Sequence, residues 1–128
     1  VPKAKDTKGI EGEVNKMSND IERLMQEYRE KVEEYAKARA RRTYIEEFKK
    51  SKHAILMRQA DRDGFKTVSA QDREALASDE YLELLNGLKE AVEAEERLRY
   101  DLRALEMRAE VWRTLRADER FEKKSYGA

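Results

Sequence analysis

Asp61-Arg62-Asp63-Gly64-Phe65-Lys66-Thr67-Val68-Ser69 interrupts a chain that is otherwise written in helical periods. Turn-forming residues crowd its first half, and Gly64 suits a helix C-cap because it alone adopts a left-handed backbone without steric cost. Thr67 or Ser69 can then open a new helix. Ser69-Ala70-Gln71-Asp72 sets an acid three residues after a hydroxyl, a capping-box pattern with Asp72 in the place usually held by Glu or Gln. Residues 70–77 are expected to form a short helix, and Ser78-Asp79 reads as a second cap.

Upstream of this turn, apolar residues fall at Ile10, Val14, Met17, Ile21, Leu24, Tyr28, Val32 and Tyr35. The steps alternate between three and four, the heptad rhythm by which helices wind together, and these eight residues are the expected oligomer interface. Beyond Tyr35 the stripe thins into alanines and resumes at Ile45, Phe48, Ile55 and Leu56. Downstream, Tyr81, Leu84, Leu88, Ala91, Glu95, Leu98, Leu102, Leu105, Ala109, Trp112 and Arg116 keep the same rhythm. Two long helices joined by a short connection run antiparallel. The expectation is therefore an all-α, coiled-coil-like hairpin in one domain over 10–120. It has a long helix over about 10–60, a turn at 61–69, the short helix at 70–77 and a second long helix over about 79–120. Residues 1–9 and 121–128 read as a flexible arm and tail, and the arm, with no apolar region, is not a signal peptide.

Composition supports long helices: 44% of the 128 residues are charged, and there are five glycines and one proline. So little apolar surface makes a thin core, and association into a helical bundle, most simply with a second copy, is the natural remedy. No cysteine is present, which removes disulfides and thiolate metal sites and suits a reducing cytoplasm. No run approaches the ~18 apolar residues of a membrane span. Catalysis is not expected, because the lone His53 lies among Lys49, Lys50, Lys52 and Arg58 and has no second histidine or Glu-x-x-His partner. No cofactor or metal is implied. Glu95 falls inside the apolar stripe and, if buried, needs Arg39, Arg42 or Lys49 opposite it.

Net charge is zero, yet charge is zoned. Residues 11–34 hold four positive and eight negative groups, 35–66 ten and four, 67–96 two and nine, and 97–128 nine and six. The basic block, Lys37, Arg39, Arg41, Arg42, Lys49, Lys50, Lys52 and Arg58 with Tyr44 among them, is a candidate landing site for single-stranded nucleic acid. Cations interleaved with aromatic rings neutralise phosphate and stack bases. The competing reading is that this block faces the acidic 79–96 segment across the hairpin and sets its register, with Tyr44 and Phe48 in the core.

Lys37-Ala38-Arg39-Ala40-Arg41-Arg42-Thr43-Tyr44, the cations from Lys49 to Arg58, the polar turn at 61–66 and Thr67-Val68-Ser69-Ala70-Gln71-Asp72-Arg73-Glu74-Ala75 stand in this order before the Tyr81–Leu88 helix. That order resembles small phage-encoded helical proteins, among them the recombination mediators of T4-type phages. The resemblance spans residues 30–116. It implies an oligomeric accessory protein, in the host cytoplasm, that binds single-stranded DNA through Lys37, Arg39, Arg41, Arg42, Lys49, Lys50, Lys52 and Arg58 and helps load a recombinase. It also allows a recombination or replication protein as partner. The acidic 79–96 segment departs from a continuous DNA track. A structural coiled coil acting only through protein contacts is the alternative.

Overall fold

A computed structural model describes residues 3–126, with side chains over 9–125. Three helices make up the fold: α1 (Lys3–Arg62), α2 (Val68–Ala77) and α3 (Asp79–Tyr126). The long helices exceed their expected ends. α1 starts at Lys3 and α3 continues to Tyr126, so helix takes in most of the stretches expected as arm and tail. Neither stretch contains a proline within these limits, and Lys, Ala and Glu favour helix.

The turn follows the local chemistry. Phe65 donates its backbone N–H to the Ala60 carbonyl at 3.0 Å and Gly64 donates to Asp61 at 3.2 Å, the paired bonds of a Schellman cap. Gly64 sits at φ 107°, which is why glycine occupies that position. Of the two candidate caps, Thr67 is the one used: its hydroxyl accepts from the Ala70 N–H at 3.2 Å. Asp72 is thereby released from the capping box. At Ser78 a single hydroxyl joins two helices, donating to the Ala75 carbonyl (2.8 Å) and accepting from the Tyr81 N–H (3.2 Å).

The long helices pack antiparallel within two compact units, residues up to Glu33 with those from Tyr100, and Glu34–Arg99. In the first unit Glu27 faces Arg108 (3.7 Å), Tyr28 donates to Glu106 (3.1 Å) and Lys31 meets Asp101 (3.9 Å). In the second, Arg42 meets Glu95 and Lys52 meets Glu80 (2.7 Å). In both, partners on α3 descend as those on α1 rise.

The inward row of α3 is the predicted one: Tyr81, Ala91, Glu95 and Leu105 are buried, and the rest of the stripe to Arg116 is half-buried. On α1 the row needs correction. Met17, Ile21, Leu24 and Tyr35 are half-buried, whereas Ile10, Val14, Tyr28 and Val32 remain exposed. The 3.5-residue rhythm assigns the place between Leu24 and Tyr35 to Lys31, whose aliphatic stem is half-buried there. From Tyr35 it continues through Ala38, Arg42, Ile45, Lys49, Lys52 and Leu56, while Phe48 and Ile55 turn outward. A buried apolar cluster joins all three helices: Leu56 of α1, Ala75 of α2 and Tyr81 of α3, with Met57 against them. No helix among the described residues is long and apolar enough to cross a membrane.

Candidate nucleic-acid interface

The basic block divides by helical phase. Arg42, Lys49 and Lys52 occupy the inward row of α1 and are half-buried. Arg42 is fully engaged: its guanidinium reaches both oxygens of Glu95 and donates to Glu46 at 2.9 Å. Glu95 is only 7% exposed. The Arg42 hydrogen bonds hold the Glu95 carboxyl below the usual carboxylate range, against the opposing effect of burial, with Arg39 and Arg99 adding to the field. The same bonds push the Arg42 guanidinium further up. This is a register-setting polar layer, and it withdraws Arg42 from any outside ligand. Lys52 makes a single contact, its Nζ 2.7 Å from one oxygen of Glu80.

The other six residues stay exposed: Lys37, Arg39, Arg41, Tyr44, Lys50 and Arg58. Arg39 lies on the flank from which it acts on Glu95, and Lys50 meets Glu47 at 3.5 Å. Glu46, four residues before Lys50, turns back to Arg42 instead, because the half-buried guanidinium is the stronger partner. Lys37, Arg41, Tyr44 and Arg58 fall on one face, in steps of three and four that also take in Phe48, Ser51, Ile55 and Arg62. Tyr44 is 68% exposed, and its ring lies parallel to Phe48, tilted by 6° with centroids 6.1 Å apart. Among the described residues Lys37, Arg41, Arg58 and Arg62 have no ion-pair partner.

Sequence spacing alone left the choice between core and surface open for Tyr44 and Phe48. Only the phase of the inward row, carried across Ala38 and Arg42, resolves it. Phe48, Ile55 and Arg62 therefore join the face although they were not among the candidate binding residues. His53 lies off this face, its Nε2 2.7 Å from Asp72 Oδ1 and its ring edge-on to Tyr81. It ties α2 to α1. Among the described residues no group of three His, Asp or Glu is arranged to hold a metal. No protein-family model matches the chain, nor does any curated protein or solved structure.

Proposed function

We propose that this chain is a non-enzymatic accessory protein that binds single-stranded nucleic acid, of the recombination-mediator kind that its feature order resembles. The observation that carries the proposal is the outward face of α1. Tyr44 and Phe48 lie parallel and exposed on it, with Lys37 and Arg41 on one side and Arg58 and Arg62 on the other. Cations without an internal partner can neutralise phosphate and release its counterions, and exposed rings can stack bases without regard to sequence. Arg42, Lys49 and Lys52 take no part, being directed to the inward row.

Fluorescence anisotropy with a labelled single-stranded oligonucleotide tests this. If four cations each neutralise one phosphate, affinity falls by about 50-fold between 50 and 200 mM salt, at a slope of about −0.7 per contact. Arg41→Glu with Arg58→Glu abolishes binding while the helical circular dichroism persists, and Tyr44→Ala costs about 1–3 kcal/mol. Binding that survives the double reversal, or a preference for duplex, rejects this face. A second reading, a scaffold working only through protein contacts, is favoured by the open apolar grooves of the first unit and predicts no binding even at low salt.

A further inference from the structure

The first unit carries an apolar row that the hairpin does not use. Ala104, Met107, Val111 and Leu115 follow one another in steps of three, four and four on a face of α3 beside the inward row. Met107, Val111 and Leu115 are 60%, 59% and 57% exposed. This row forms one wall of an open groove of about 580 Å³, whose opposite wall is Ile21 and Leu24 of α1. A second groove of about 600 Å³ lies on the other flank, between Met25 and Tyr28 of α1 and Ala109 and Trp112 of α3. Two helices therefore meet here along a single seam with both flanks unfilled.

We propose that the Ala104–Met107–Val111–Leu115 flank takes a second copy of this chain, packed about a twofold axis to make a four-helix layer. Three observations choose this occupant. The first is area: the chain exposes 10619 Å², whereas a compact monomer of its mass exposes about 7,100 Å². The excess of roughly 3,500 Å² far exceeds the ~800 Å² that each partner of a stable complex covers. The second is charge. The groove is rimmed by Asp20 on the α1 wall and Arg108 on the α3 wall. A twofold copy that lays its α1 over α3 of the first sets each acid against a base, as a self-complementary patch requires. Arg108 already lies 3.7 Å from Glu27, so it would be shared between its own helix pair and the copy. The third is balance. Over 9–33, α1 carries seven acids and four bases, whereas over 100–125 α3 carries six acids and seven bases. α3 of one copy is thus suited to lie against α1 of the other. A foreign partner of one sign would call for a rim of the opposite sign, and this rim has both.

Analytical ultracentrifugation of the full chain between 1 and 100 µM is the test. The expected mass is twice the 15.1 kDa of one chain, or an even multiple of it. Met107→Glu with Val111→Glu is expected to give monomers with unchanged far-ultraviolet circular dichroism, since both side chains are exposed in the single chain. The absence of cysteine allows an independent reading. An Asp20→Cys chain mixed with an Arg108→Cys chain should oxidise to a mixed covalent dimer, and the same Asp20→Cys chain mixed with an Arg73→Cys chain, altered on α2, should not. A wild-type mass of 15.1 kDa at 100 µM overturns the proposal and leaves the flank to a different protein. An odd multiple, a double variant that keeps the wild-type mass, or equal cross-linking in the two cysteine mixtures also overturns it. The face at Lys37–Arg62 is untouched by these changes, so nucleic-acid binding and self-association can fail separately.

Discussion

Glu95 is a carboxylate on a row of leucines and alanines, and its charge is retained only because the Arg42 guanidinium meets both of its oxygens. A folded-state value below the ordinary one means that the unfolded chain takes up a proton first as pH falls. The stabilisation is complete above the ordinary glutamate value of about 4.5 and is lost as pH drops through the lowered folded value. Urea midpoints measured from pH 7 to pH 3 should therefore fall, and Glu95→Gln should start lower and fall less steeply. Equal slopes would remove Glu95 from the acid response. That Glu95 would need a cation was legible from its place in the stripe. That Arg42 would be the one was not, because Arg39, Arg42 and Lys49 all lie within a few turns and only the helical phase separates them.

At the level of elements, α2 is short and on its own would not persist as a helix. It is held by Ala75, 1% exposed, set against Leu56 and Tyr81, by the His53–Asp72 bond, and by caps at Thr67 and Ser78. Leu56→Ala removes the side chain that all three helices share, and the expected loss is about 2–5 kcal/mol in equilibrium urea unfolding. A loss below 1 kcal/mol would mean that the cluster closes around the gap. The caps and the turn could be read from sequence because Gly, Thr and Ser act on backbone groups within a few residues. The His53–Asp72 link could not, since 19 residues separate the pair. Phe48 and Ile55 mark the same limit. Their hydrophobicity suggests burial, but the 3.5-residue row passes through Ala38, Lys49 and Lys52 and leaves them outside.

In the molecule as a whole, burial is uneven. Among the described residues, Leu56, Ala60, Ala75, Tyr81 and Ala91 are the buried apolar ones of the unit Glu34–Arg99, and Leu105 is that of the other. Amide hydrogen exchange on dilute protein should be slower over 42–60 and 75–98 than over 10–25 and 108–124. At high concentration the second pair of segments should gain protection if copies associate through them. Uniform exchange would contradict both expectations. Antiparallel pairing was legible from one turn and two heptad runs, but the division into two units was not, because zoned charge and mean hydropathy do not report packing depth. The unbroken 3.5-residue row of α1 has a further consequence. Each residue of an α-helix turns the chain by about 100°, so deleting one residue between Tyr44 and Lys52 would turn the stretch before it against the stretch after it by that angle. With Lys52 held to Glu80, Arg42 would leave Glu95, and Tyr44 would no longer share a face with Arg58. Removing seven residues from α1 and seven from the facing stretch of α3 would preserve both. The helices thus carry a reading frame of their own, counted in sevens.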